Sequence, residues 1–229
     1  MHKPENLQVL YEDNHLIAVN KPAGLLVQSD HSGAFCLLET VRQYLREQYL
    51  KPGDAFVGLL HRLDRPVSGV VLLAKTSKGA SRLSDQIRRR TVRKTYQALV
   101  EGVPEPREAT LVHYLGEAPQ PGAPVRLSDL PDSALKAAEL GYRVLQAGPK
   151  FSLVEIDLRT GRKHQIRAQM ARIGHPLAGD LRYGATLPFS SDGIGLTACS
   201  LEFSHPIRQD ERVKVELPQP PREKWAAWL

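Results

Sequence analysis

The alternation of apolar runs and polar turns predicts regular elements along most of this 229-residue chain. The opening stretch LQVLYEDNHLIAVNKP has two short apolar runs around the polar residues 12–14, which predicts a β-hairpin. From Leu37 to Tyr49, apolar residues recur every three or four positions, which predicts an amphipathic helix. Val70 to Ala74 is a continuous apolar run led by β-branched residues, which is typical of a strand buried on both faces.

Two more helices are predicted in arginine-rich stretches. Thr76-Ser77 offers an N-cap for the stretch KGASRLSDQIRRR, whose last turn is basic and so suits the negative end of the helix dipole. The second helix is predicted from Lys163 to Ile173, with Gly174 as its C-cap. Its buried stripe is formed by Ile166, Met170 and Ile173.

The remaining pattern is mostly that of strands. Strand-like stretches run to residues 102 and 116, and others follow the Pro/Gly-rich residues 118–131, which predict an exposed loop. Strands outnumber helices and connect mainly to their neighbours, so the expected class is α+β with a mixed, largely antiparallel sheet. Composition is globular, with 41% hydrophobic and 24% charged residues, and we expect a single domain over residues 1–229.

Several kinds of function are disfavoured by what the sequence lacks. No run approaches the ~18 apolar residues that span a bilayer, and the first residues lack a signal-peptide core, so a cytoplasmic protein is expected. The two cysteines and eight histidines form no metal-binding spacing. No glycine-rich nucleotide motif and no G-x-S-x-G elbow occurs. We therefore expect neither a metal nor a small-molecule cofactor, and a serine hydrolase is disfavoured.

Charge is concentrated in two segments. The chain has 31 Lys and Arg against 25 Asp and Glu, a formal net charge of +6. Residues 82–94 hold six basic side chains and one acid, and residues 159–172 hold five basic side chains and no acid. Such segments either bind a polyanion or are simply solvated helix faces, and residue types alone leave both interpretations open.

Asp64 is the first candidate for chemistry, in the stretch GLLHRLDRPVSGVVLLAK. Pro66 biases Arg65 towards an extended conformation, so the loop before the buried strand is expected to be rigid. A nearby arginine favours the ionised form of an aspartate, which suits a nucleophile or an electrostatic stabiliser. A structural salt bridge within the loop explains the same residues equally well.

A second constellation spans residues 158–185. Arg167 borders the buried stripe of the predicted helix, and an arginine that points inward needs an acidic partner. The following stretch GHPLAGDLRYG brings three glycines together with Asp180, so that backbone can approach a ligand closely. A glycine-rich structural turn without any ligand is the alternative.

Three blocks carry a resemblance to a known family. HRLDRPVSGVVLLAK, RKTYQALVEG and TGRKHQIRAQMARIGHPLAGDLRYG resemble the signature blocks of the RluA-type pseudouridine synthases, in the same order along the chain. The flanking LIAVNKPAGLLV and LTACSLEFSHPI are similar to flanking elements of that family, so the resemblance extends from about residue 7 to 217. It implies the pseudouridine-synthase fold with a central active-site cleft, and we expect no S4-like RNA-binding domain.

The resemblance also implies roles for individual residues. Asp64 corresponds to the catalytic aspartate, Tyr96 to the tyrosine that packs on the target base, and Arg167 to the basic residue that pairs with that aspartate. Arg62 corresponds to the arginine that takes the place of the flipped nucleotide. Further RNA contacts are expected from the basic and histidine side chains of the basic segments and of the block around Asp64: His61, Arg65, Arg88, Arg89, Arg90, Arg162, Lys163 and His164.

The expected function is therefore isomerisation of specific uridines in a structured RNA, either ribosomal or transfer RNA, by a monomeric enzyme. Lys163 stands where threonine is common in the family, which adds a charge near RNA. A catalytically inactive RNA-binding protein of the same fold remains one alternative. An unrelated glycoside-processing enzyme is another, and it would need Asp180 as its second carboxylate.

Overall fold

The structure is a computed structural model that describes residues 7–29, 35–50, 53–186, 189, 193–208, 210–219, 221 and 225–229. The chain divides into two compact units. The first unit comprises residues 1–92 and 200–218, and the second comprises residues 93–199 and 219–229. The division falls inside one strand, β10 (Leu196–Ser204), which contributes residues to both units. The expectation of one functional domain stays a prediction.

The first unit combines antiparallel strand pairs with two helices. Besides part of β10, its elements are β1 (Gln8–Glu12), β2 (Leu16–Lys21), α1 (Leu37–Gln48), β3 (Gly58–Leu59), β4 (Ser68–Ala74), α2 (Ser77–Arg88) and β11 (Arg212–Glu216). Strand β2 pairs with β1 on one side and with β4 on the other, and β3 also pairs with β4. The part of β10 that belongs to this unit pairs with β11.

Most elements predicted for this unit are confirmed. The opening residues form the β1–β2 hairpin, and β4 is buried from Gly69 to Ala74. Helix α1 ends one residue before the predicted Tyr49. Helix α2 begins after Thr76, whose hydroxyl oxygen accepts a hydrogen bond from the Gly79 amide at 3.1 Å. The core of the unit packs the inner faces of the strands against α2, and its buried residues include Leu16, Val70, Leu72, Leu83, Leu201 and Phe203.

The elements of the second unit are β5 (Arg93–Glu101), β6 (Glu108–Leu115), β7 (Leu127–Ser128), β8 (Lys136–Ala147), β9 (Phe151–Leu158), α3 (Gln165–Arg172) and a 3-10 turn (Leu181–Tyr183). These strands lie in the order β5-β9-β8-β6-β7, with each neighbouring pair antiparallel. Buried residues of the unit form two clusters, one around Leu99 and Trp225 and one around Leu115 and Ala168. Both units therefore confirm the α+β class.

Two predictions for the second unit are wrong in part. The region 118–131 was expected to be an exposed loop, but it contains the buried Val125 and the short strand β7. Helix α3 starts at Gln165 and not at Lys163, because His164 adopts a left-handed conformation with φ of +53°. Only isolated residues take that conformation, so a helix cannot run through it. Gly174 has φ of +87°, as expected of a C-cap glycine.

In the part of the chain that the structure describes, no helix is long and apolar enough to cross a bilayer.

Candidate active site

The loop that carries Asp64 joins β3 to the buried strand β4 in the first unit. It closes in a turn in which the Val67 amide donates to the Asp64 carbonyl at 3.0 Å. Leu63 and Val67 are both buried, whereas Asp64 is only half-buried. Apolar side chains on either side therefore anchor the backbone, while Asp64 itself keeps contact with solvent.

His61 ties the start of this loop to the strand that follows it. The Leu72 amide of β4 donates to Nε2 of His61 at 3.0 Å. Because Nε2 accepts this bond, the proton of the neutral ring is on Nδ1. The sequence did not indicate this structural contact, and the expected contact of His61 with RNA stays a prediction.

Arg65 joins the loop to a second loop, residues 22–25, in the same unit. Its Nε donates to the Gly24 carbonyl at 2.9 Å, and its own carbonyl accepts from the Gly24 amide at 2.9 Å. Gly24 has φ of +83°, a conformation that glycine adopts without strain. Arg65 was predicted only as an RNA contact, and it has this additional structural role. Arg62 is exposed.

Lys21 is the last residue of β2, its side chain contacts both loops, and it is 0% exposed. Its Nζ donates to the carbonyls of Pro22 at 2.9 Å, Leu25 at 2.8 Å and Arg65 at 3.2 Å. Burial lowers the pKa of Lys21 to about 8, and the charge of Asp64 acts in the opposite direction. Lys21 was not among the predicted site residues. The available signal was a lysine at the end of the predicted strand, shortly after the apolar residues 16–19.

Tyr96 belongs to the second unit and lies on β5, opposite Ile156 of β9. The residue is 7% exposed, and the register of β5 with β9 runs unbroken from Thr95 to Glu101. A continuous ladder of this kind fixes which face of the strand each side chain takes. The position of Tyr96 is therefore set by the sheet and not by a loop.

Arg167 points inward from α3, as the sequence predicted, and it has a buried acidic partner. Its Nε donates to Oδ2 of Asp180 at 2.7 Å and its Nη2 donates to Oδ1 at 2.8 Å, with the two side chains 6% and 1% exposed. The guanidinium also lies 4.9 Å from the ring centroid of Tyr183. This is a bidentate pair, the geometry that best compensates the desolvation of two buried charges.

The Arg167–Asp180 pair changes how both residues are understood. From the family resemblance, Asp64 was the expected acidic partner of Arg167, and Asp180 was not predicted in that role. Pairing of Arg167 with Asp64 stays a prediction. Asp180 is bound through both carboxylate oxygens and is buried, which is a poor arrangement for the exchangeable acid that a glycoside-processing enzyme would need.

The left-handed His164 places its ring against the same tyrosine. Its Nδ1 lies 2.9 Å from the Tyr183 hydroxyl, and the two rings meet edge to face. The Tyr183 hydroxyl also accepts from the Val125 amide at 3.1 Å, and this contact helps to bury Val125. His164, a predicted RNA contact, therefore contacts the tyrosine that covers Arg167.

The turn before α3 is held by a network around Gln165. Its Oε1 accepts from the Thr160 hydroxyl at 2.7 Å and from the Arg162 amide at 3.0 Å, while its Nε2 donates to the Glu139 carbonyl at 3.1 Å. The side chain of Arg162 donates to the Ala137 carbonyl at 3.1 Å. Lys163 remains exposed. Three residues of this turn are predicted RNA contacts: Arg162 and His164 are half-buried, and Lys163 is exposed.

The other basic segment ends α2 in the first unit. Arg88, Arg89 and Arg90 are all exposed. Asp85 forms salt bridges with Arg88 and, at 2.8 Å, with Arg89. The hydrogen bond from Arg88 holds the pKa of the Asp85 carboxyl below its usual value. These guanidinium groups are therefore available to a polyanion at little desolvation cost.

No group of three or more His, Cys, Asp or Glu side chains is placed to hold a metal ion among the described residues.

The family model described as RNA pseudouridylate synthase matches residues 15–172, a range that includes Asp64, Tyr96 and Arg167. The chain belongs to the RNA pseudouridylate synthase family.

Curated relatives extend this match. Ribosomal large subunit pseudouridine synthase C of Vibrio cholerae is 32% identical over 92% of this chain and 65% of its own length. The tRNA pseudouridine synthase C of the same organism is 34% identical over 90% of this chain and 89% of its own length. The chain thus spans just under two thirds of the length of the first of these relatives.

A solved structure supports the same membership. Human RNA Pseudouridylate Synthase Domain Containing 1 superposes with a TM-score of 0.73 and 27% identity, covering 96% of this chain and 86% of that one. The resemblance to pseudouridine synthases that the three sequence blocks indicated is therefore confirmed, together with the fold.

Asp64, Tyr96 and Arg167 stay the candidate residues that the sequence blocks indicate, whereas the residues that contact Arg167 and the loop of Asp64 were not predicted. Asp180 and Tyr183 contact Arg167, and Lys21 and Gly24 contact the loop of Asp64. The signal for Asp180 was present, because an inward arginine requires an acid and GDLRYG follows α3 in the same block.

Proposed function

We propose that this member of the pseudouridylate synthase family isomerises specific uridines in a structured RNA to pseudouridine, with Asp64 as the catalytic aspartate. The proposal rests on the position of Asp64, which lies within the residues that the family model matches. Its side chain is half-buried, on a loop whose backbone is anchored by the buried Leu63 and Val67 and by the hydrogen bond from the Leu72 amide to His61. A catalytic group held on a pinned backbone needs little reorganisation at the moment of reaction.

The proposed reaction conserves the composition of the nucleotide. The bond between uracil N1 and ribose C1′ breaks, the base turns while it is held, and C5 bonds to C1′. C5 loses its proton and N1 gains one, so nothing is oxidised and no phosphoryl group moves. The ionised Asp64 acts at C1′, where departure of the base develops positive character, or alternatively at the uracil ring.

Two residues of the second unit complete the proposed chemistry. Tyr96 packs on the target base and takes part in removing its C5 proton, and Arg167 stabilises the charge of Asp64. Support for Arg167 comes from its setting. The bidentate bond to Asp180 and the ring of Tyr183 hold the guanidinium in one orientation. The pairing of Arg167 with Asp64 is part of the proposal.

The proposed substrate is ribosomal or transfer RNA, the two kinds named for the relatives described above. A uridine must leave its stack before it can react, which costs a few kcal/mol. Contacts of basic side chains with phosphates offset that cost. The exposed arginines at the end of α2, together with Arg62 and Lys163, are suited to this. The proposal includes a monomeric, cytoplasmic protein without a cofactor.

The decisive experiment maps pseudouridine in ribosomal and transfer RNA from a deletion strain complemented with wild type, Asp64→Asn or Asp54→Asn. Asp54 is an exposed aspartate of the same unit and serves as the matched control. We expect Asp64→Asn to abolish the modification at sites that wild type and Asp54→Asn restore. Binding of the purified variant to the same RNA should stay nearly unchanged.

Three results would contradict the proposal. Full modification by Asp64→Asn would remove Asp64 from catalysis. Binding of RNA by wild type without any modification would favour the inactive RNA-binding protein. Release of free uracil would favour a glycoside-processing enzyme.

A further inference from the structure

Helices α2 and α3 end in the same backbone motif. After α3, the His175 amide donates to the Met170 carbonyl at 3.0 Å and the Gly174 amide donates to the Ala171 carbonyl at 3.0 Å. These two bonds define a Schellman motif, which places a left-handed residue just beyond the helix cap. In α3 that residue is Gly174, with φ of +87°. Glycine adopts this conformation without strain, so α3 ends at no cost in stability.

In α2 the left-handed position is occupied by an arginine. The Thr91 amide donates to the Gln86 carbonyl at 3.0 Å and the Arg90 amide donates to the Ile87 carbonyl at 3.1 Å, which are the same two bonds. Arg90 has φ of +61°. A residue with a Cβ is disfavoured in this conformation, because the Cβ approaches the following carbonyl oxygen too closely. Arg90 therefore lowers the stability of the fold at a position where glycine would not.

Contacts within the folded chain do not explain this arginine. The dipole of a helix favours cations at its C-terminal end, but Arg88 and Arg89 already supply them there without a left-handed conformation. Both of these arginines form salt bridges with Asp85. The side chain of Arg90 is exposed, and no hydrogen bond or ion pair joins its guanidinium to another residue of the described ranges. Its guanidinium is therefore the one of the three that has no acid to leave before it binds an anion.

The backbone that carries Arg90 is held in place. The Gln86 carbonyl accepts from the Thr91 hydroxyl at 3.2 Å as well as from its amide. The Gln86 side chain binds β10 twice, because its Nε2 donates to the Ser204 carbonyl at 2.8 Å and its Oε1 accepts from the Ser204 amide at 3.1 Å. The end of α2 is thus fixed to β10 within the first unit. A fixed backbone reduces the ordering that binding requires.

We propose that Arg90 binds a phosphate of the RNA backbone and contributes more to RNA binding than Arg88 or Arg89, and that its left-handed conformation trades stability for this contact. The inference rests on the proposed function and deepens it, because it separates one arginine of the cluster from the other two. A guanidinium offers paired N–H donors that match phosphate oxygens. Arg88 and Arg89 must share or leave Asp85 to make the same contact.

The first test measures binding of an unmodified transfer RNA transcript and an unmodified ribosomal RNA transcript across a salt series. The proteins are wild type, Arg90→Gln, Arg88→Gln, Arg89→Gln and the matched control Arg46→Gln. Arg46 is an exposed arginine in the last turn of α1, in the same unit. At about 0.1 M salt, Arg90→Gln should weaken binding about 5- to 10-fold, and the negative slope of log K against log salt should become shallower by about 0.9. Arg88→Gln and Arg89→Gln should each lose less, and Arg46→Gln should bind as wild type does.

The second test measures the trade in stability by thermal unfolding. Arg90→Gly should raise Tm by about 1–3 °C, because it relieves the left-handed strain, and it should bind RNA as weakly as Arg90→Gln. Arg90→Gln should leave Tm unchanged, because glutamine also has a Cβ. Gly174→Arg is the converse change and should lower Tm. A Cβ at position 174 would meet no heavy atom of a more distant residue within 4 Å, so this loss would report the backbone conformation and not crowding.

Three results would overturn the inference. One is wild-type RNA binding by Arg90→Gln, and another is an equal loss of binding in the three α2 variants. The third is a Tm of Arg90→Gly below that of wild type, which would mean that the arginine stabilises the helix end. A wild type that binds RNA but forms no pseudouridine would refute the proposed function, and the binding and Tm comparisons would still decide the role of Arg90.

Discussion

Helices α2 and α3 carry the two arginine-rich segments of the chain, and their charged residues lie in different environments. At the end of α2, Arg88, Arg89 and Arg90 are exposed, and two of them share Asp85 at the surface. In α3, every residue from Gln165 to Met170 is buried, including Arg167. The same residue type therefore forms a solvated surface in one helix and a buried ion pair in the other.

Burial decides what an arginine in such a segment can do. Exposed arginines keep their hydration, so they can be exchanged or can bind phosphates without affecting the fold. The buried Arg167 has lost its hydration and depends on Asp180, so that removal of either partner leaves an uncompensated charge. A basic segment is thus a candidate for RNA binding where it is exposed and a structural element where it is buried.

The largest expected effect tests the buried side of this comparison. Arg167→Met should lower the free energy of unfolding by about 3–5 kcal/mol, because Asp180 remains buried without a partner. Denaturant unfolding measures this. The matched control is Arg172→Met in the last turn of α3, whose ion pair with Asp129 has both side chains more than half exposed, at 53% and 54%. Arg172→Met should lower the free energy of unfolding by less than about 1 kcal/mol. Equal losses of stability in the two variants would contradict the distinction between buried and exposed arginines.

An effect of intermediate size is expected when the exposed arginines at the end of α2 are replaced. Replacing Arg88, Arg89 and Arg90 together by Gln should weaken RNA binding and change the free energy of unfolding by no more than about 0.5 kcal/mol. If each arginine contacts a phosphate, the negative slope of log K against log salt should become shallower by about 2 to 3. Binding measured across a salt series gives this slope.

The control for that triple variant removes the same charge elsewhere. Arg107, Arg143 and Arg212 are exposed arginines, each already paired with a glutamate. Their joint replacement by Gln should alter the slope much less. If both triple variants behave alike, then net charge and not the end of α2 is responsible.

The smallest expected effect concerns pH and the buried face of α3. Nε2 of Gln169 donates to Nδ1 of His113 at 2.9 Å, which requires that nitrogen to be unprotonated. Burial lowers the pKa of His113, the charge of Arg172 lowers it further, and Asp129 acts in the opposite direction. Below pH 6.5 the unfolded chain therefore binds a proton more readily than the folded one, and stability is lost as pH falls.

The measurement compares wild type with His113→Asn, which does not titrate in this range. The free energy of unfolding of wild type should decline more steeply between pH 7 and pH 5 than that of the variant. Parallel profiles would mean that the His113–Gln169 contact does not sense protonation.

Much of the fold was predictable because its signals are local. The β1–β2 hairpin, β4, and helices α1 and α2 follow from the spacing of apolar residues and from one capping threonine. The errors occurred where a distant contact overrides local pattern. In the region 118–131, the side chain of Val125 is buried because it packs in a cluster with Leu115, Ala138 and Ala168, and its amide donates to the Tyr183 hydroxyl. Helix α3 starts late at the left-handed His164, whose ring lies against the same tyrosine.

For the candidate site, the inward direction of Arg167 was predictable from the helical period, and the structure confirms it. The catalytic roles of Asp64, Tyr96 and Arg167 stay predictions from contiguous motif blocks, and all three residues lie within residues 15–172, which the family model matches. Arg65 shows the limit of such reading, because its sequence suggests only a charge near RNA while its Nε binds Gly24, 41 residues away. The acidic partner of Arg167 was likewise not predicted: the inward direction of this arginine followed from the helical period, but Asp180 lies beyond the end of α3.

The class of fold and the family follow from the amino-acid sequence alone, because hydrophobic period and motif order are properties of neighbouring residues. The partners of the buried charged side chains became clear only in the folded chain. Arg167 meets Asp180 across 13 residues, and Lys21 meets the carbonyl of Arg65 across 44. Such pairings depend on where the folded backbone excludes water, and burial is what makes each partner indispensable.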